Sequence, residues 1–290
     1  MPGQLRLMAV HAHPDDESSK GAASAARYVR AGAEVLVVTC TGGERGDVLN
    51  PALEFEHTPD GLGDLRRDEM ARAAAILGVK HEWLGFVDSG YPDGDPKPLL
   101  PEGCFALVPI DVAAGRLAGL IRSFRPHVVT TYDEHGGYPH PDHIRTHEVT
   151  VAGLQRAADP AAPEPGEAWQ VQKLYYHMTF HLPKVRALHE AALAAGFESP
   201  YADWIANWED RPHDAERVTT KVPCSDFFGL RNEALLAHAS QIDPTGRWFA
   251  VPLALEAEVW PTEDFELAQA WIPTSLPEDD LFAGVVAEDS

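Results

Sequence analysis

Residues 5–17 read Leu5-Arg6-Leu7-Met8-Ala9-Val10-His11-Ala12-His13-Pro14-Asp15-Asp16-Glu17. An apolar run of strand length passes directly into a loop that carries an imidazole, a proline and three carboxylates. Three more runs, at 34–41, 81–86 and 127–132, are rich in Val, Leu and Thr and bounded by Gly, Pro or Asp, the pattern of buried strands. Between them, residues 22–30 and 65–77 place apolar side chains at helical spacing and stop just before Gly32 and Gly78. A further helix is expected over 111–124, closed by Arg125 and Pro126. Strand and helix in alternation imply an α/β fold: a Rossmann-like, mostly parallel sheet flanked by helices, with right-handed crossovers. Ligands of such sheets bind beyond the carboxyl ends of the strands, so the active site is expected there.

The pattern breaks at residues 159–167, rich in Pro, Ala and acidic residues. This divides a Rossmann-like metal-binding catalytic part, 1–158, from a less regular C-terminal part, 159–290, that completes the substrate pocket; the two are expected to form one continuous domain. The second part holds Trp169, Trp204, Trp208, Trp248, Trp260 and Trp271, six of the chain's 7 tryptophans. They read as core and as helices covering the sheet, with a pocket role for one or two as the alternative.

Composition narrows the function classes. Of 290 residues, 44% are hydrophobic and 23% charged, which is ordinary globular usage. The formal net charge of −22 would repel nucleic-acid phosphates and anionic lipid headgroups, so a small-molecule substrate is expected and neither nucleic acid nor membrane. The amino terminus lacks a secretory pattern and no run reaches the roughly 18 apolar residues of a membrane span, so a cytoplasmic location is expected. Whether the chain is a monomer or a homo-oligomer is not legible. Cys40, Cys104 and Cys224 are odd in number and widely spaced, and read as reduced packing residues.

Two strand-end loops carry the chemistry. The first is His13-Pro14-Asp15-Asp16-Glu17; the second, after the 127–132 run and Gly136-Gly137, is Tyr138-Pro139-His140-Pro141-Asp142-His143. Both contain His-Pro-Asp, in which proline fixes the relative direction of imidazole and carboxylate. One such loop alone could be an N-cap and a turn. Two at the ends of strands in one sheet suggest a catalytic metal site, with His13, Asp16 and His143 as three protein ligands and a fourth position for water. Asp15 then suits a general base, His140 an acid or oxyanion stabiliser, and Asp142 a carboxylate that orients an imidazole. His11, inside the strand, reads as a packed, hydrogen-bonded histidine. The metal is expected to be one Zn(II) per chain, although two histidines and an aspartate also suit Fe(II).

These loops, with Thr41-Gly42-Gly43-Glu44-Arg45-Gly46, Trp83-Leu84-Gly85-Phe86-Val87-Asp88-Ser89-Gly90, Gln241-Ile242-Asp243-Pro244 and Leu281-Phe282-Ala283-Gly284, resemble the zinc-dependent deacetylases of the PIG-L-like superfamily. The likeness spans nearly the whole chain. It implies removal of an acyl group from glucosamine nitrogen, the same ligands and base, and Tyr138 as a mobile residue assisting the polarised carbonyl. It also implies sugar contacts by Arg66 and Asp88, with Glu44 in the same substrate-binding group. Their plainer readings are a helix-surface charge for Arg66 and a turn former for Asp88. Lys20 stands where the acetyl-sugar deacetylases carry an uncharged residue, which favours an amidase of mycothiol S-conjugates that releases mercapturic acids in thiol-based detoxification. The alternatives are the N-acetylglucosaminyl-inositol deacetylase of mycothiol biosynthesis and, in another class, a non-catalytic metal-stabilised sugar-binding module.

Overall fold

The structure, a computed structural model, describes residues 3–54, 61–208 and 214–287. Among the described residues, seven strands form one sheet: β1 (Arg6–His11), β2 (Glu34–Thr41), β3 (Lys80–Phe86), β4 (Val128–Thr131), β5 (Lys173–His177), β6 (Thr220–Pro223) and β7 (Thr262–Ala270). The helices of the described residues are α1 (Asp16–Ser19), α2 (Ala22–Arg30), α3 (Gly61–Leu77), α4 (Ile110–Phe124), α5 (Pro141–Ala158), α6 (Leu182–Ala194), α7 (Ala202–Ala206), α8 (Asp214–Arg217), α9 (Phe228–Ala237) and α10 (Leu253–Val259).

The strand order is β3-β2-β1-β4-β5-β7-β6. The first five strands run parallel, whereas β7 pairs antiparallel with both β5 and β6. From β1 the chain steps outward through β2 to β3, then crosses back by α4 to lay β4 on the other side of β1. The order therefore reverses between β1 and β4, and the loops leaving these two strands flank the crevice where open α/β sheets bind ligands.

Alternation along β1 explains why it lies at the centre. Met8 and Val10 join Leu117 and Ile121 of α4 and Val149 and Leu154 of α5 in one core cluster. Leu7 packs on the opposite side with Tyr28 of α2, and Ala9 with Met70 and Ala74 of α3. Both faces are covered, so the strand reads as an unbroken apolar run. The expected run at 81–86 behaves differently from a buried strand. As β3 it ends the sheet, and its side chains alternate in exposure, with only Leu84 buried.

Beyond residue 132 the sequence signals no strand, yet β5, β6 and β7 complete the sheet. β6 has four residues, one of them Pro223, and β7 reads TEDFELAQA, with few apolar positions to signal a strand. In β5, Lys173 is fully buried and its ammonium pairs with Glu278. The expected break at 159–167 is a loop clamped from below. The Arg122 guanidinium donates to the carbonyls of Arg156, Ala157, Asp159, Ala162 and Glu164. Cys40, Cys104 and Cys224 are buried free thiols, as expected.

Replacing Arg122 with Met keeps the volume but strands these carbonyls. It is expected to lower stability by about 3 kcal/mol, read as a lower urea midpoint at unchanged m. A change below about 0.5 kcal/mol would show that the clamp is dispensable.

Candidate metal centre

The loops after β1 and β4 meet. His13 leaves the end of β1, Asp16 opens α1, and His143 lies in the first turn of α5, whose N-cap is His140. All four are buried. Asp16 Oδ2 lies 3.3 Å from His143 Nε2 and 3.6 Å from His13 Nδ1, and ligand atoms of the three residues fall within 4.8 Å of one another.

The outer nitrogens decide which lone pairs face inward. His143 Nδ1 lies 3.0 Å from the Gly136 carbonyl, which can only accept, so its proton sits there and Nε2 presents a lone pair. That Nε2 is buried and has no hydrogen-bond partner. His13 Nε2 lies 3.3 Å from Asp142 Oδ2 and 3.5 Å from Asp88 Oδ1, which places its proton outward and leaves Nδ1 free. Carboxylate and carbonyl partners of this kind orient metal-bound imidazoles. An orphaned buried nitrogen, a second freed nitrogen and a carboxylate at one point fit a divalent cation in a three-ligand set. A second set, His13, Asp88 and His140, also converges. There the Asp88 oxygens already accept the backbone N–H groups of Arg45 and Gly90.

Asp142 is fixed by Ser89, whose backbone N–H and hydroxyl donate to its two oxygens. Gly136 sits at φ 75°, and a Cβ there would come within 2.7 Å of the His143 Cβ. The tight turn that delivers a carbonyl to His143 Nδ1 therefore needs glycine.

Asp15 is held under strain. Its φ of 101° lies in the left-handed region that non-glycine residues rarely adopt. Its N–H donates to Glu17 Oε2 at 3.0 Å, while Arg66 Nη2 donates to the Pro14 carbonyl and lies 3.3 Å from Asp15 Oδ2. Glu17 in turn accepts from His238 at 2.7 Å. Burial raises the Asp15 carboxyl to about 6 against the pull of the Arg66 guanidinium. That range suits a proton acceptor working near neutrality.

The other expected residues divide by what they touch. Lys20 Nζ lies 2.6 Å from Asp16 Oδ1, leaving Oδ2 for the centre. Arg66 points inward from α3 instead of out to solvent, and it holds the Gly43 carbonyl as well as the Asp15 loop. Glu44 accepts the Asp88 N–H at 3.0 Å, so Glu44 and Asp88 brace each other at one edge. Tyr138 is 43% exposed with its ring edge-on to His143 at 4.4 Å. His140 Nδ1 accepts the Asp142 N–H at 3.1 Å, so a neutral His140 carries its proton on Nε2. Burial, with His13 and His143 nearby, pushes its pKa down to about 3. His11 is buried with Nδ1 3.3 Å from the Tyr132 hydroxyl, in keeping with a packed histidine.

Sequence reading misses Tyr132, whose ring stacks on His143 at 4.3 Å and 14°, and whose hydroxyl accepts the Ala12 N–H. It also misses His238 and gives no role to Ser89 or Glu17. Tyr132 ends an apolar run, and its place next to the Asp133 loop is the one signal that marks it. Of the tryptophans, Trp169 is core as expected, whereas Trp204, Trp208 and Trp248 line a cavity beside Lys20 and Tyr138.

Residues 8–154 match the family model described as PIG-L, GlcNAc-PI de-N-acetylase. A protein of Streptomyces coelicolor named mycothiol S-conjugate amidase is 58% identical over 289 residues, covering 98% of this chain and 99% of the relative. A 1D-myo-inositol 2-acetamido-2-deoxy-alpha-D-glucopyranoside deacetylase of Streptomyces avermitilis is 40% identical, with 97% of each chain covered. The fold is shared with the N,N'-diacetylchitobiose deacetylase of Pyrococcus horikoshii, at 19% identity and a TM-score of 0.61 over 90% of this chain and 83% of that one. With half the chain matched by the family model and nearly all of it by close relatives, the chain belongs to the PIG-L family.

Proposed function

We propose that the chain is a metal-dependent amidase that hydrolyses the amide between glucosaminyl-inositol and the S-substituted N-acetylcysteine of mycothiol conjugates, releasing a mercapturic acid for detoxification in the cytoplasm. The observation that carries the reaction type is the convergence of His13 Nδ1, Asp16 Oδ2 and His143 Nε2 beside a strained Asp15. The relative at 58% identity supports the conjugate as substrate over the acetylated sugar named for relatives near 40%.

His13, Asp16 and His143 would hold one Zn(II), with Fe(II) as the other metal that suits this donor set. When bound, the cation supplies Lewis acidity to the amide carbonyl and to the attacking water. Asp15 takes a proton from that water and returns it to the departing glucosamine nitrogen. His140 keeps its proton on Nε2 and donates a hydrogen bond to the developing oxyanion, which favours the stabiliser role over that of a charged acid. Tyr138 offers a second donor from the mouth of the site. Asp142 orients His13, and Lys20 orients Asp16. Asp88, Arg66 and Glu44 form the edge that receives the sugar, with Asp88 contacting hydroxyls, Glu44 holding the Asp88 backbone and Arg66 holding the Gly43 carbonyl and the Asp15 loop.

The test compares kcat/KM for a bulky thiol conjugate and for the acetylated sugar, before and after chelation and after separate Zn(II) and Fe(II) restoration. Conjugate turnover that exceeds deacetylation and returns with metal is expected; equal or faster deacetylation sinks the conjugate assignment. Asp15→Ala is expected to keep its metal while kcat falls about 10²–10⁴-fold. Retained activity removes Asp15 from the base role. Asp142→Asn should weaken Zn(II) binding about 10–100-fold in a chelator competition, because His13 loses the carboxylate that sets its proton. An unchanged affinity would mean that His13 is oriented by Asp88 alone.

A further inference from the structure

The centre has two unlike sides. Asp88, Glu44 and Asp142 crowd one edge with polar groups. On the other, past Lys20, Tyr132 and Tyr138, opens a cavity of about 700 Å³. Its far wall is aromatic and comes wholly from the C-terminal half. Phe180 follows β5, Trp204 sits on α7, and Trp248 lies in the short turn Arg247–Phe249. Phe180 is 5.1 Å from Trp204 and 5.5 Å from Trp248, centroid to centroid, with planes tilted by 65° and 42°; Trp208 adds a fourth ring 5.4 Å from Trp204.

Four charged residues that line the cavity are already engaged, and Lys184 and Arg247 line it as well. Arg231 makes a bidentate pair with Glu256, Glu263 accepts the N–H groups of Ala23 and Ser24, and Asp264 accepts from His181 and Trp260. What these aromatic residues offer a ligand is tilted π-faces around a space that an acetyl methyl would leave nearly vacant. Planar apolar groups are held best in such a setting, by offset stacking and edge-on contact.

Resting on the amidase reading, we infer that this cavity binds the sulfur substituent of the conjugate and selects aryl thioethers over small alkyl ones. The acyl chain enters past Lys20 and Tyr132 while the sugar stays at the Asp88 edge, so Phe180, Trp204 and Trp248 determine specificity without touching the reacting atoms.

Trp248→Ala and Phe180→Ala test this with paired substrates, the S-benzyl and S-methyl conjugates. Both side chains are partly exposed, and the S-methyl conjugate reports whether each variant is folded and competent. Expected is a loss of about 10–100-fold in kcat/KM for S-benzyl, mostly in KM, with S-methyl changed less than about threefold. Equal effects on the two substrates, or none, overturn the assignment. A second measurement separates this failure from failure of the amidase reading: saturable quenching of tryptophan fluorescence by S-benzyl-N-acetylcysteine. If the wild-type protein hydrolyses no S-conjugate, the amidase reading falls, and the cavity is judged by this probe alone. Binding weakened about tenfold by both substitutions supports the aryl site, and absence of saturable binding overturns it.

Discussion

The pairing of β1 with β4 is the constraint on which the rest depends. Leu7, Met8 and Ala9 lie opposite Val128, Val129 and Thr130, and this register sets how far His13 stands from His143, 130 positions later in the chain. A slip of one residue would move one loop by about 3.3 Å and turn its buried side chains to the wrong face of the sheet. Metal ligands tolerate about 0.2 Å. The alternating packing of Met8 and Val10 on one face and Leu7 and Ala9 on the other forbids the slip, so core packing and ligand geometry are one requirement.

Electrostatics then explains why so many residues surround so few ligands. Asp16, Asp88 and Asp142 all approach His13, and Asp15 adds a fourth carboxyl beside them. Lys20 and Arg66 bring two positive charges against Asp16 and Asp15, and a divalent cation would add two more. Asp15 also carries backbone strain of about 1–3 kcal/mol, which persists only where the surroundings over-determine it. Arg66 holds the loop from α3 and Glu17 holds it from α1. Burial alone would raise the Glu17 carboxyl, yet His238 holds it down to about 2, so it remains a charged acceptor for the Asp15 N–H. The strained turn is thus tied through Glu17 to the C-terminal end of α9.

What could be read from the chain beforehand follows the range of the interactions. β1, β2 and β4 are buried on both faces and announce themselves as apolar runs, and the His-Pro-Asp loops concentrate candidate ligands within a few residues. β5, β6 and β7 are short or polar, and pairing with partners far away in sequence fixes them. The same holds for His238, whose partner Glu17 is 221 residues distant, and for Ser89, whose grip on Asp142 depends on how the loop after β3 crosses the sheet end. Arg66 on α3 also reads as a helix-surface charge, because helical spacing alone does not reveal that a strained loop needs its guanidinium inside.

The division of labour between the halves has a consequence for specificity. The proposed ligand set, the strained Asp15 and the proposed oxyanion donor all come from residues before 145, within the stretch matched by the family model. The aromatic wall comes from residues after 178, carried on the loop that follows β5, a short helix and a turn. These segments can change without moving β1 against β4. A fold arranged in this way can keep one hydrolytic centre and exchange the acyl group it accepts by altering residues such as Phe180, Trp204 and Trp248, because neither the register nor the ligand geometry passes through them.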